Sequence, residues 1–178
     1  MAYILAFSGS NSSTSINQKL VKYTSTLLTD EKIRLLDMSN YPFPMYSEDY
    51  EKEHGYSNSL VEFMDEINHA KGVIISVSEH NSYPSAYFKN TLDWLSRLNS
   101  KFLTDKKIFL MAASLGGRGA MGALEASENM LKRFGGHIVE TFSFPSFHQN
   151  FDENKGILDE NLAKIHQEKM ESFKKAIS

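Results

Sequence analysis

The chain contains no cysteine. That excludes a thiol nucleophile, a disulfide framework and any zinc site built on thiolates. Proline is scarce, with four in 178 residues, and two of them, Pro42 and Pro44, fall in one segment, Ser39 to Ser57, which they mark as a loop. Long apolar runs are missing, so nothing reads as a membrane span. The apolar run nearest the N-terminus, Tyr3 to Phe7, has five residues and no basic flank, which does not fit a secretory signal. A large charge of either sign is also missing: the net value is −3, with acids and bases interspersed, so no footprint for nucleic acid is present. The histidines His54, His69, His80, His137, His148 and His166 are scattered without metal-ligand spacing, and no metal site is expected. A chain of this length buries roughly 70% of its unfolded surface and needs no staple. The expectation is one soluble, cytoplasmic domain over residues 1–178, with no nucleic-acid or membrane partner.

What is present is an alternation of short apolar runs with amphipathic segments of helix length. Tyr3–Phe7, Ile33–Met38, Val73–Val77, Ile108–Ala112 and a run starting at His137-Ile138-Val139 read as five strands. Between and after them lie helical stripes: Ile16, Leu20, Tyr23 and Leu27; Leu60, Val61, Met64 and Ile67; Phe88, Leu92, Leu95 and Leu98; Ala123, Ala126, Met130 and Phe134, stopped by Gly135-Gly136; and Leu158 to Ile177. Pro84 suits the first turn of the third of these helices. The first, third and fourth strands are almost wholly apolar, as strands of a parallel sheet covered on both faces are. The fold expected is therefore α/β: a three-layer, doubly wound, parallel five-stranded sheet. Ligands of such sheets bind beyond the carboxyl ends of the strands, where the strand order reverses.

Three loops open on that edge. The first, Ser8 to Asn17, reads Ser-Gly-Ser-Asn-Ser-Ser-Thr-Ser-Ile-Asn, uncharged and dense in hydroxyls, and leads into a helix N-terminus. Free N–H groups and the helix dipole there favour an anion such as phosphate. A Ser-rich cap on an ordinary surface loop gives the same pattern, and both readings stay open on this loop alone. The second is Ser78-Glu79-His80-Asn81-Ser82-Tyr83-Pro84, and the third Ser114-Leu115-Gly116-Gly117-Arg118-Gly119, whose glycines let backbone approach a flat ligand. Phosphate donors, polar ring contacts and a glycine platform together suit flavin mononucleotide (FMN).

At these loops the chain resembles the NADPH-dependent FMN reductases, flavodoxin-like proteins that include quinone and azo-dye reductases. The first family motif, roughly Gly-Ser-x-Arg-x-x-Ser-x-Asn, stands here as Gly9 to Asn17. The second, Pro-Glu-Tyr-Asn-x-Ser-x-Pro followed by Leu-Lys-Asn and Ile-Asp-Trp, stands as Ser78 to Pro84, Phe88-Lys89-Asn90 and Leu92-Asp93-Trp94. The glycine loop Ser114 to Gly117 matches the third, and the likeness runs from the first strand to about Val139. The resemblance implies a sheet of order 2-1-3-4-5 and FMN as cofactor, with NADPH or NADH as electron donor. It implies that Ser10, Ser12, Ser15, Ile16 and Asn17 lie at the phosphate. Ser78, Glu79, His80, Asn81 and Ser82 would meet the ring system, with Ser114, Gly116 and Gly117 closing over it. It also implies a small-molecule acceptor, a homodimer or homotetramer, and a long loop carrying Tyr41, Phe43, Tyr46 and Tyr50 at the subunit contact. The chain departs from the pattern at Ser12, where the family carries arginine, and at Ser78 and His80, where it carries proline and tyrosine.

No catalytic side chain is required, because a flavin supplies the hydride chemistry itself. Two other functions compete: a flavodoxin-like electron carrier and a flavin-free regulatory module. The mild charge and the lack of a Thr-Gly-x-Thr ending weigh against the carrier, and the missing arginine keeps the module open. Phosphatases of similar fold need a cysteine and are excluded. A dinucleotide fingerprint, Gly117-Arg118-Gly119-Ala120-Met121-Gly122 with Glu140 downstream, is weak without its full βαβ context. Trp94, Phe88 and Leu92 fit core packing first. Phe142, Phe144, Phe147 and Phe151, placed after the fifth strand, fit core cover or a pocket rim.

Overall fold

A computed structural model describes residues 3–178. Five strands form one all-parallel sheet: β1 (Tyr3–Ser8), β2 (Ile33–Leu35), β3 (Ala70–Val77), β4 (Lys107–Ala113) and β5 (His137–Phe144). Their order is β2-β1-β3-β4-β5, as expected for a flavodoxin-like sheet. Successive side chains of β1 point to opposite faces. Leu5 and Phe7 enter a core shared with α3 (Asn58–His69), α4 (Ala86–Leu98) and α5 (Met121–Arg133). Ile4 and Ala6 enter a second core under α1 (Ile16–Thr26) and the C-terminal helix (Glu160–Ile177). Two cores, one on each face, explain why the central strands are apolar throughout.

Several elements differ from the expected ones, each for a local reason. The edge strand β2 stops at Leu35. The chain then bends into a 3₁₀ turn, Met38–Asn40, whose cap is Asp37, accepting the Ser39 N–H at 3.0 Å. The segment from Ser39 to Ser57 is not all loop: it contains α2 (Glu48–His54). Ser47 caps that helix by accepting the Tyr50 N–H, acids fill its first turn, Lys52 and His54 its last, and Gly55 ends it at φ +66°. Charge and caps of this kind favour a helix without any apolar stripe, and α2 buries no residue. Pro84 lies ahead of α4, paired with Glu79 in a two-residue-per-strand hairpin, while Ser85 is the cap and accepts the Phe88 N–H at 3.1 Å. Strand β5 runs on through Phe142 and Phe144, so both are buried strand residues of the α1 core rather than cover beyond the strand. A one-turn helix α6 (Phe147–Asn150) follows, so the C-terminal helix is α7; it starts at Glu160, and Leu158 lies outside it, exposed.

Helix α4 clasps the segment leading into α2. Tyr87 donates to the carbonyls of Met38 and Tyr41 (3.2 and 2.9 Å), and the Asn90 amide donates to Pro44 O (2.9 Å) while accepting the Tyr46 N–H (2.7 Å). Trp94 Nε1 also donates to Pro44 O at 2.8 Å, and its indole is buried against the edge of Tyr46. Trp94 is thus core, as expected, and also a hydrogen-bonding clasp. Beyond it Glu51 accepts from the hydroxyls of Tyr46 and Tyr56 and pairs with Arg97. Burial pushes the Glu51 carboxyl up, but the bonds from Tyr56, Tyr46 and Arg97 outweigh it and hold it below the usual carboxylate range.

Candidate cofactor site

The carboxyl ends of β1, β3 and β4 open on one shallow depression, lined by Ser10, Ser15, Ile16, Asn17, Ser78, Glu79, His80, Ala113, Ser114 and Leu115. It sits where the strand order reverses, with α1 leaving β1 towards one face and α4 following β3 on the other. Eight of the residues expected from the sequence come together here. Ala113 and Leu115 are additions, and their signal was positional: both flank Ser114 at the end of β4.

On the α1 side the loop is shaped by a glycine. A Cβ on Gly9 would lie 2.8 Å from the Phe88 ring and 3.2 Å from Val77, so only glycine lets the loop pass over α4's first turn. The Gly9 N–H donates to Ser76 O (2.8 Å), and its carbonyl accepts from the Ser85 hydroxyl (2.8 Å). The loop then folds on its own hydroxyls: Ser10 Oγ accepts the Ser12 N–H and Ser12 Oγ accepts the Thr14 N–H, both at 3.3 Å. Ser15 is the α1 cap, its Oγ accepting the Gln18 N–H at 3.2 Å. The first bond closing the helix runs from Lys19 N to Ser15 O, which leaves the N–H groups of Ile16 and Asn17 without an intrahelical acceptor. Those two donors are what a phosphate needs at this point.

The Asn17 side chain has a structural role at the base of the site. Its side chain is 1% exposed and is spent inside the fold, donating to Ala113 O (3.2 Å) and accepting from Ala113 N (2.9 Å) and Ser76 Oγ (2.7 Å). Asn17 is nonetheless among the residues that line the depression. Ser12 is exposed at the loop surface and lies outside the lining.

On the other side, Glu79–His80 and Tyr83–Pro84 form the hairpin whose turn residues Asn81 and Ser82 both have positive φ (53° and 63°), as a type I′ turn requires. The hairpin docks on α5. Glu79 Oε2 accepts the Ala123 N–H at 3.1 Å, supplying the acceptor that the α5 cap residue, Ala120, cannot. A Cβ on Gly122 would strike Ser82 O, so that glycine is needed for the contact. Asn81 and Ser82 consequently stand at the hairpin tip, outside the lining, with the Ser82 carbonyl turned to α5. Gly116 and Gly117 also lie beyond the lining. The Gly116 carbonyl accepts from Gly119 N, Ser146 N and the Ser114 hydroxyl (3.3, 3.0 and 3.1 Å), while a Cβ on Gly117 would meet nothing within 4 Å. The space over this loop is open, as over a platform for a flat ligand.

The later glycines of the fingerprint are explained by packing. Gly119 has φ +60°, and a Cβ there would strike Ser143; Glu140 lies within β5 and pairs with Lys169 at 3.0 Å. Among the described residues no three acids and histidines gather as metal ligands do, and no helix is long and apolar enough to cross a membrane.

The residues present fit FMN. Two N–H groups with no intrahelical acceptor among the described residues and the hydroxyl of Ser10 suit its phosphate, and the hairpin and glycine loop flank space for its ring, all without a charged side chain from the first loop. The structure is similar to the flavoenzyme NAD(P)H:(acceptor) oxidoreductase FerB of Paracoccus denitrificans, with a TM-score of 0.80 and 23% identity, covering 99% of this chain and 97% of that one. In sequence, an uncharacterized protein of Mycoplasma pneumoniae is 36% identical over 87 residues, 49% of this chain and 50% of that protein. A quinone reductase of Escherichia coli is 33% identical over 73 residues, 41% of this chain and 39% of that enzyme. The chain thus matches half or less of the length of these curated relatives. The family model for NADPH-dependent FMN reductases, by contrast, matches continuously from residue 2 to 149, through all three loops at the sheet's carboxyl edge, and the chain belongs to that family.

Proposed function

We propose that this protein is an FMN-dependent oxidoreductase that moves a hydride from NADPH or NADH to a small acceptor, a quinone, azo compound or flavin, in a ping-pong cycle. The observation that carries the proposal is the convergence of three loops at the ends of β1, β3 and β4, with the free N–H groups of Ile16 and Asn17 at one end and the open glycine platform at the other. FMN held here would supply the hydride chemistry between nicotinamide and acceptor. The protein's own part is placement. The first turn of α1 and the hydroxyls of Ser10 and Ser15 hold the phosphate, with Ser12 shaping the loop beside them. Ser78, Glu79 and His80 border the ring, Asn81 and Ser82 form the turn that holds this hairpin against α5, and Ser114, Gly116 and Gly117 leave one ring face open to both substrates in turn. Exposed Leu115, Tyr83 and Met121 around the glycine loop and hairpin support a homodimer or homotetramer, and a cytoplasmic setting completes the reading.

The test is anaerobic mixing of the FMN-loaded protein with NADPH and, separately, NADH. Rapid bleaching of the flavin, followed by reoxidation with a quinone and parallel double-reciprocal plots, is the expected result. A yellow protein that neither nicotinamide bleaches is a carrier, and failure to bind FMN overturns the proposal.

A further inference from the structure

Among the described residues, the lining of the depression at the sheet's carboxyl edge contains one carboxylate, Glu79, and one imidazole, His80. Glu79 is spent on the Ala123 N–H at 3.1 Å. His80 is the one lining residue that can bear a positive charge, since neither lysine nor arginine lines the depression. Its imidazole is not used within the fold. The histidine side-chain bonds among the described residues belong to His54, His69, His137 and His166.

The backbone that carries His80 is held on both sides. Ser85 N donates to Ser78 O at 3.2 Å, Glu79 is tied to α5, and the turn at Asn81 and Ser82 rests on Gly122. His80 itself is exposed and pairs across the hairpin with Tyr83, whose phenol is exposed as well. Charged groups on the elements around the hairpin are placed elsewhere. Arg118 of the glycine loop and Glu125 of α5 are exposed and outside the lining, and Lys89 of α4 pairs with Asp93 at 2.6 Å. A fixed hairpin thus presents one uncommitted imidazole to the depression.

We propose that His80 is the counter-charge of the reduced cofactor: it takes one proton from solvent when the flavin ring takes up hydride, and returns that proton when the hydride leaves. The inference rests on FMN occupying this site, as the oxidoreductase reading has it. Hydride brings two electrons and one proton, so the ring gains one negative charge while the nicotinamide is left oxidised. The Glu79 carboxylate opposes that charge, and no permanent cation of the lining offsets it. An imidazole changes charge between pH 5 and 8, and an anion beside it favours the protonated form. Passage of the hydride to the acceptor removes the ring's charge, and with it the reason for His80 to keep its proton. The phosphate has its own donors in the first turn of α1, across the depression from the hairpin.

The test compares FMN-loaded wild type with His80→Gln and with His80→Tyr, which keeps a ring and removes the charge. Midpoint potentials are measured at pH 6 and pH 9 with dithionite and a reference dye, and affinity for oxidised FMN by quenching of its fluorescence. At pH 6 the reduced flavin is expected to bind about tenfold more weakly to either variant, which lowers the potential by about 30 mV. At pH 9 the difference is expected to fall below about twofold, because the imidazole is neutral there. Oxidised FMN is expected to bind all three proteins equally. Equal potentials at pH 6, or a difference of the same size at both pH values, overturns the proposal. So does an equal loss of affinity for oxidised FMN, which puts the imidazolium at the phosphate instead. If neither nicotinamide bleaches the flavin while the pH-dependent difference persists, the oxidoreductase reading fails and His80 stands as the counter-charge of a carrier. A protein that binds no FMN overturns both.

Discussion

Asn17 and Ala113 hold each other by a reciprocal pair of hydrogen bonds, side-chain amide to backbone N–H and carbonyl, 96 residues apart in the chain. The pair joins the first turn of α1 to the end of β4, and Ser76 of β3 donates to the same Asn17 oxygen. The loops that form the candidate cofactor site are thus tied together from beneath by one buried amide.

Replacing Asn17 with alanine leaves the Ala113 N–H and carbonyl and the Ser76 hydroxyl without their partner in a buried place. The expected loss is about 3 kcal/mol, since each unsatisfied buried group costs roughly 1–3 kcal/mol. Urea unfolding of the apoprotein measures it. Asn17→Asp is expected to be destabilised as well, because a carboxylate oxygen would face the Ala113 carbonyl. An unfolding midpoint at the wild-type value for both would sink the tether.

Gly9→Ala sets a methyl against the Phe88 ring. Overpacking of this kind costs about 1–3 kcal/mol, and here it displaces the phosphate loop, so FMN affinity is expected to fall together with stability. Pairing it with Phe88→Leu is expected to restore part of both, read by quenching of FMN fluorescence on titration.

Glu79→Ala removes the acceptor at the start of α5 and unpins the ring-side hairpin. The loss of stability expected is about 1 kcal/mol, the size of a helix cap. Glu79→Gln keeps an acceptor oxygen and is expected to lose less. Equal melting temperatures for the alanine variant and the wild type would show that the hairpin is held by its backbone contact at Gly122 alone.

His166 is enclosed by the rings of Tyr23, Phe109 and Phe142, with Nε2 at 2.9 Å from the Thr24 hydroxyl. Burial lowers its pKa to about 4. A histidine held neutral binds fewer protons folded than unfolded. Its contribution is therefore complete above the unfolded value of about 6.5 and is lost as pH falls from there towards 4, roughly 3 kcal/mol in all. The wild type is expected to lose that much more than His166→Gln between pH 7 and pH 4, measured by urea midpoints. Parallel acid limbs for the two proteins would contradict it.

Much of this molecule was legible because periodicity reports burial. The five apolar runs became the five sheet strands, and Leu20, Leu60, Leu92, Ala123 and Phe173 are buried on their helices as their spacing implied. Helix α2 was not legible that way, since it is held by caps and charge and shows no apolar stripe. In the second motif, helical spacing places Trp94 in the core but does not show that Trp94 and Asn90 fasten Pro44 and Tyr46. Motif spacing shows that residues belong together without showing which partner each one faces.

The sequence by itself determined the fold class, the alternation of strands and helices, and the three loops that carry polar and glycine residues, because these depend on local composition and period. Only the tertiary structure decided what each loop residue does. It assigned the Asn17 side chain to Ala113, Glu79 to the start of α5, and Ser12, Asn81, Ser82, Gly116 and Gly117 to places outside the depression. The reason is geometric: a hydrogen bond between residues 96 positions apart is set by how helices and strands pack, and no local pattern encodes it.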